Sequence, residues 1–136
     1  MITYKEFTPT AQQFNLLTDS VGWGTRDVAV VEKALANSLY CVGAFDSDRL
    51  IGFARIIGDE TIFLYIQDVM VMPEYQGQKI GTGIMEKLIE KINEYKKVNS
   101  SIRTYLGASA GKEDFYKRFG FETRADAGLG PGMVLF

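Results

Sequence analysis

Apolar residues recur along the chain with two periods, one of two residues and one near 3.6, and the switches between them divide it into elements. Ile2 to Phe7 alternates as a strand does, and Pro9 ends it. Thr8 or Thr10 is placed to cap a short helix carrying Phe14, Leu16 and Leu17. Asp19 to Thr25 reads as a loop with Trp23 between two glycines. A second helix follows, with Val28, Val31 and Leu35 on its buried side, Val30 and Ala34 as further candidates, and Asn37-Ser38 at its close. Leu39–Phe45 and Leu50–Ile57 are strands joined by the polar turn 46–49. Gly58-Asp59-Glu60 turns the chain into a long strand, Thr61–Met72, and the three form an antiparallel meander.

The period then changes. Ile80, Ile84, Leu88, Ile92 and Tyr95 mark a helix over 79–97, whose other face carries Glu86, Lys87, Glu90, Lys91, Glu94 and Lys97 and is solvated. Ser101–Leu106 is a fifth strand, entered after a helix and so expected parallel to strand 61–72. A short helix over 112–119 has Glu113 and Asp114 in its first turn, Lys117 and Arg118 in its last, and Gly120 at a left-handed stop. Phe121–Thr123 and Met133–Phe136 are expected as terminal strands, linked by the glycine-rich 127–132. Neither repeat nor linker interrupts the chain. The expectation is one domain over 1–136, of α/β (α+β) class, with a mixed central sheet of about six or seven strands and helices on both faces.

Between the proline-stopped strand Val69-Met70-Val71-Met72-Pro73 and the long helix lies Gln76-Gly77-Gln78-Lys79-Ile80-Gly81-Thr82-Gly83. Strand, glycine-rich turn and helix in that order leave backbone N–H groups uncovered at a positive helix end, a site for phosphate or pyrophosphate. A glycine inside a helix costs about 0.8–1 kcal/mol against alanine, so Gly81 and Gly83 imply a compensating close approach to the backbone. The dinucleotide fingerprint lacks its third glycine here, and the P-loop order fails because Lys79 precedes the glycines.

Composition narrows the chemistry. A chain of 136 residues, 46% apolar and 24% charged, suits one core. A net charge of −2 offers no basic face, which argues against nucleic acid as a partner. The first residues lack the apolar core of a signal peptide, and no apolar run approaches the ~20 residues of a membrane span, so a cytoplasmic, non-membrane protein is expected. With one cysteine, Cys41, and no histidine, neither an internal disulfide nor a metal site is expected. Any general base must be a carboxylate, tyrosine, lysine or water.

Gln78-x-x-Gly81-x-Gly83 resembles the Q/R-x-x-G-x-G/A pyrophosphate signature of the GNAT superfamily of N-acetyltransferases. Val69-Met70-Val71-Met72-Pro73-Glu74-Tyr75-Gln76 is similar to that family's lead-in, and Phe115-Tyr116-x-x-Phe119-Gly120-Phe121 to its F-Y-x-x-x-G-F segment. The three occur in order across most of the second half. Ser109 and Lys112 stand where the family often has Asn and Ala.

The resemblance implies acetyl-CoA as co-substrate and transfer of its acetyl group to a primary amine of a small molecule, directly in a ternary complex. It implies that strands 61–72 and 101–106 splay, that Val69, Met70 and Val71 offer main-chain groups to the pantetheine arm and thioester, and that Gly77, Gln78, Lys79, Ile80, Gly81, Thr82 and Gly83 wrap the pyrophosphate. Ser109 would bond the pantetheine, and Tyr116 would protonate the leaving thiolate, the alternative for it being a packed aromatic beside Phe115 and Phe119. Asp68 interrupts an apolar strand and is expected either as base for the amine or as a structural hydrogen-bonding group. Trp23, Arg26 and Arg55 are candidate substrate contacts. Arg55, mid-strand on the side of Phe53 and Ile57, needs a carboxylate, from Asp68, Asp59 or the substrate. The alternatives are a catalytically silent acyl-CoA sensor and an acetyltransferase of proteins or peptides. A homodimer through an edge strand is compatible with this reading.

Overall fold

The computed structural model describes all 136 residues, which gather into two compact units, Met1–Tyr105 and Leu106–Phe136. The first holds β1 (Ile2–Glu6), α1 (Ala11–Ser20), α2 (Val28–Ala36), β2 (Tyr40–Asp46), β3 (Arg49–Gly58), β4 (Phe63–Val71), a single 3₁₀ turn (Pro73–Tyr75), α3 (Ile80–Val98) and all but the last residue of β5 (Arg103–Leu106). The strands form one mixed sheet in the order β1-β2-β3-β4-β5, with antiparallel ladders joining β1 to β4 in sequence. α3 is the crossover to β5, where the Arg103 amide donates to the Ile62 carbonyl at 3.1 Å.

Local chemistry sets the element ends. Thr10, not Thr8, caps α1: its hydroxyl accepts from the Gln13 amide while the Gln13 side chain accepts from the Thr10 amide. At the β3–β4 turn one Asp59 oxygen accepts the amides of Thr61, Ile62 and Phe63 at 2.9, 2.7 and 3.0 Å. Those donors, the Phe63 amide foremost, hold the Asp59 carboxyl below its ordinary value.

Neighbouring residues of β3 show that helices cover both faces, because successive side chains of a strand point opposite ways. A Cβ on Gly52 would meet Ile84 of α3 at 2.9 Å. The next residue, Phe53, stacks edge-on against Phe14 of α1, with ring centroids 5.8 Å apart. The core therefore has two layers. Ile56, Leu64, Ile84 and Leu88 are fully buried, as are Leu17, Ile51 and Phe53; each is worth about 1.5–3 kcal/mol in apolar burial. On α2 only Val31 and Leu35 reach the core, while Val28 and Val30 stay exposed.

One irregularity matters for the site. Phe53 pairs with Met70, but Arg55 pairs with Gln67, so Asp68 and Val69 of β4 oppose the single residue Ala54. This β-bulge inverts the alternation of the strand. Ile66 points with its partner Ile56 to the α3 layer, whereas Met70 points with its partner Phe53 to the α1 layer.

In the second unit, α4 (Glu113–Lys117) is followed by Gly120 at φ +93°, the left-handed stop expected there. The two terminal strands do not form, and the sheet has five strands rather than six or seven. Thr123 feeds a turn instead: its carbonyl accepts from the Ala127 amide at 3.1 Å and its hydroxyl from the Asp126 amide at 3.1 Å. Gly128, Gly130, Pro131 and Gly132 then precede Met133, a composition that raises the entropy cost of a strand and removes a ladder donor. No helix is long and apolar enough to cross a membrane.

Candidate functional site

β4 ends on the Met72 amide, which donates to the Ile51 carbonyl at 2.9 Å. Pro73 cannot continue the ladder, and the chain folds into the 3₁₀ turn closed by Tyr75 N–H to Met72 O at 2.9 Å. Gly77 and Lys79 follow in the left-handed region, at φ +79° and +62°, so the chain reverses twice before α3. Lys79 pays for that conformation with about 1–2 kcal/mol, being neither Gly nor Asn. The first closed turn is Gly83 N–H to Lys79 O at 3.2 Å. The amides of Ile80, Gly81 and Thr82 therefore precede the helix ladder, at the positive end of a 19-residue helix. Residues 76–79 are exposed. A doubly charged pyrophosphate diester approaching from solvent meets these donors and the Lys79 residue together, so the segment fits a pyrophosphate.

Side chains anchor this loop. The Tyr75 hydroxyl donates to Asp46 at 2.6 Å, across to the β2–β3 hairpin. That bond pushes the phenol above its ordinary value and Asp46 below its own. Arg49 pairs with Glu74 at 3.0 Å and lies over the Tyr75 ring. The Gln76 amide donates to the Val71 carbonyl at 3.0 Å, and Gln78 to the Glu74 carbonyl at 3.3 Å.

Gly83 answers to a different neighbour. A Cβ there would lie 2.6 Å from Cε1 of Tyr4 and overlap its Cζ and Oη. The close approach implied by a mid-helix glycine is made by β1, and the Gly83 amide is already bonded to Lys79.

Asp68 occupies the bulge with φ +58°, a region in which Asp is tolerated better than most residues. Its Oδ2 accepts from Arg55 Nε at 2.6 Å, with both side chains largely buried, and its Oδ1 from Gln67 at 3.4 Å. The other arm of Arg55 donates to the Ala34 carbonyl at 3.3 Å and the Ser38 hydroxyl at 3.2 Å, at the C-terminus of α2. Of the three partners open to Arg55, the structure selects Asp68; Asp59 is engaged with its own turn. Trp23 and Arg26 sit in the α1–α2 loop, which Asn15 clamps at both Arg26 backbone groups, 2.8 and 3.1 Å. The Trp23 side chain is exposed there.

Ser109 and Tyr116 belong to the second unit. Ser109 is exposed, and its carbonyl accepts from the Lys112 amide at 2.9 Å. Tyr116 packs edge-on to Phe115 at 5.0 Å and Phe121 at 6.3 Å, and burial raises its phenol above the ordinary value. Packed aromatic and proton donor are thus compatible for this residue. Nowhere do three or more His, Cys, Asp or Glu side chains converge as metal ligands.

Tyr4, Asp46, Arg49 and Asn15 were not singled out by sequence reasoning. None belongs to a motif, and Tyr4, Asp46 and Arg49 act across long separations in the chain. Only a register assigning Tyr4 to the strand edge under α3 would have found it.

A strand, an exposed loop with Gly77 and Lys79 left-handed, and the unbonded amides at the start of a long helix form an anion-binding arrangement. Residues 23–135 match the acetyltransferase (GNAT) domain model, and the chain belongs to that family. An uncharacterised ycf52-like N-acetyltransferase of Prochlorococcus marinus is 40% identical over 77% of this chain and 58% of its own length. The histone acetyltransferase TAP1 of Glycine max is 36% identical over 78% of this chain and 49% of its own. The chain thus spans roughly half the length of these curated relatives. The crystal structure of a probable acetyltransferase from meticillin-resistant Staphylococcus aureus superposes with a TM-score of 0.87 at 32% identity, covering 100% of this chain and 99% of that one. GNAT acetyltransferases use acetyl-CoA.

Proposed function

We propose that this chain is an acetyl-CoA-dependent N-acetyltransferase, working as one domain over 1–136, that acetylates a primary amine of a small molecule by direct transfer. The observation that carries the reading is the run of amides from Gly77 to Thr82 without a backbone partner, with Gly77 and Lys79 left-handed and Gly83 the first bonded amide of α3. In this reading Gly77, Gln78, Lys79, Ile80, Gly81 and Thr82 hold the pyrophosphate, and Val69, Met70 and Val71 offer main-chain groups to the pantetheine arm. Ser109 bonds that arm. A backbone N–H near Met70 or Val71 polarises the thioester carbonyl.

The neutral amine attacks the carbonyl carbon, a C–N bond forms and the C–S bond breaks. Tyr116 gives its proton to the departing thiolate, and the proton lost by the amine passes to water. The transfer from Tyr116 is uphill by at least ~2 kcal/mol against ordinary thiol and phenol values near 8.5 and 10, and burial of the thiolate narrows that gap. Asp68, whose carboxylate is bonded to Arg55, is assigned to strand geometry rather than to deprotonation. Trp23 and Arg26 face the acceptor. On the sequence reading the compartment is the cytoplasm.

A protein or peptide acceptor is the second reading, favoured by the likeness to a relative named a histone acetyltransferase. Calorimetry with acetyl-CoA, followed by thiol release across polyamines, arylamines, amino acids, aminoglycosides and a lysine peptide, tests both. Amine-dependent release with a small molecule supports the proposal, and release with the peptide alone supports the second reading. No coenzyme binding overturns both.

A further inference from the structure

The Arg55 side chain makes three hydrogen bonds, to the sheet and to α2. Its Nε bonds Asp68 in the β4 bulge at 2.6 Å, and its Nη1 bonds the Ala34 carbonyl and Ser38 hydroxyl at 3.3 and 3.2 Å; its own backbone pairs with Cys41 and Gln67 in the adjacent strands. Ala34 O is among the last carbonyls of α2, which lack helix partners and attract a cation. Ser38 donates to the same carbonyl at 3.0 Å.

At the other end the bond is made to the one residue of β4 in left-handed conformation. That residue carries the extra count of the ladder, so the tie sits where the strand changes which side chains face each layer. Slipping the register by one would exchange the sides of Met70 and Val71 and turn the amides of Val69 and Met70.

We infer that Arg55 is a positioning residue: through Asp68 it fixes the β4 bulge, and through Ala34 and Ser38 it ties that bulge to the end of α2. A change at α2 is thereby transmitted to the strand that presents main-chain groups to the acyl carrier. The coenzyme consequence rests on the function proposed above, but the tie itself does not.

The test uses the full chain and four variants, each checked for folding by urea denaturation. Asp68→Asn keeps an acceptor oxygen and tolerance of the left-handed region; Asp68→Ala keeps neither; Arg55→Met removes both arms; Arg55→Gln keeps a single amide donor. Amide hydrogen exchange of 63–72 in the ligand-free protein reads the bulge directly. Exchange at 68–70 should accelerate at least tenfold in Asp68→Ala and Arg55→Met and stay within about threefold in Asp68→Asn. Coenzyme A affinity should fall about tenfold in the first two and little in the third.

If Asp68→Ala does not fold, Arg55→Gln carries the test with the same accelerated exchange at 68–70. Unchanged exchange in Arg55→Met or Arg55→Gln overturns the inference. So does an Asp68→Asn variant as inactive as Asp68→Ala with coenzyme binding intact, which would make Asp68 a base. An Arg55→Met variant altered only in the KM of the amine would make Arg55 a substrate contact instead. Failure of the parent chain to bind coenzyme A defeats the proposed function alone, because the exchange measurement still decides the tie.

Discussion

Replacing Gly83 with Ala separates two reasons for a glycine in the first turn of α3. In a helix open to solvent the change would stabilise the fold by about 0.8–1 kcal/mol, the difference in helix propensity. Here the added methyl would meet Cε1 of Tyr4 at 2.6 Å and overlap two further ring atoms. Overpacking of this kind costs about 1–3 kcal/mol. Tyr4 is half-buried and its ring can swing, which puts the cost near the middle of that range. The net expectation is a loss of about 1 kcal/mol, or a fall in Tm of about 3–5 °C for a chain of this size.

Urea denaturation of a double-mutant cycle checks the cause. In a Tyr4→Ala background the obstacle is gone and only propensity remains, so Gly83→Ala should then stabilise by about 0.8–1 kcal/mol. The same substitution thus changes sign with its neighbour, a coupling of about 2 kcal/mol. Stabilisation in both backgrounds would refute the packing argument. Coenzyme A affinity of the double variant gives a second reading. Because the Gly83 amide is bonded to Lys79, affinity should stay within about twofold. A loss beyond tenfold, in a folded double variant, would restore Gly83 to the pyrophosphate contacts.

Tyr116→Phe should lower kcat for thiol release by about 10²-fold or more, the scale of general acid catalysis, with coenzyme affinity unchanged; an unaltered kcat would leave Tyr116 a packing residue. Burial raises the Tyr116 pKa, so the group stays protonated below about pH 10. Its stabilising contribution is complete there and is lost as pH rises through the raised value. With an alkylamine of pKa about 10.4, neutral about once in 2,500 molecules at pH 7, kcat/KM should therefore rise from pH 6 to 9 with no falling limb. A flat profile, with coenzyme binding constant, would remove the need for amine deprotonation. Tyr75→Phe breaks the bond to Asp46 and should weaken coenzyme A binding about three- to tenfold, measured by calorimetry; full affinity would show that the clamp does not position the loop. Losing that bond also returns the depressed Asp46 pKa towards its ordinary value. The contribution Asp46 makes above about pH 4, lost as pH falls through the depressed value, should then shrink in the acid-unfolding curve, leaving the part due to the N-terminal ammonium and Arg49.

Most elements were legible because burial writes itself into short-range periodicity. The 3.6-residue recurrence from Ile80 to Tyr95 became α3, and the alternating runs before it became β2, β3 and β4 within a residue or two. Pro73 and Gly77 marked the loop because proline's restriction and glycine's freedom of φ are intrinsic to those residues. The left-handed Lys79 was invisible for the converse reason: nothing in lysine favours it, and the surrounding turn imposes it. The missing terminal strands fail similarly. Phe121–Thr123 and Met133–Phe136 have strand-like composition, but a strand needs a partner ladder, and Thr123 is engaged in its own turn.

The bulge is the instructive case, because it is a property of two strands and not of either. Read alone, residues 61–72 give Leu64, Ile66, Met70 and Met72 on one face and make Asp68 an intruder on that face. Arg55, read alone, is equally out of place. Each looked like a candidate for chemistry because each violates its own strand's pattern. Paired, they explain one another: the extra residue moves Met70 to the other layer, and the misplaced acid and base neutralise each other at 2.6 Å. A buried pair of this kind costs desolvation that an apolar pair would not, so its presence points to geometry rather than stability as the gain. The geometry gained is a strand that changes which side chains face each layer just before the glycine loop. It follows that replacing both residues together, as Arg55→Met with Asp68→Leu, should leave the fold at least as stable in urea as either single change. It should still lose the exchange protection at 68–70, whereas protection retained without the pair would mean that the neighbouring strands alone hold the bulge.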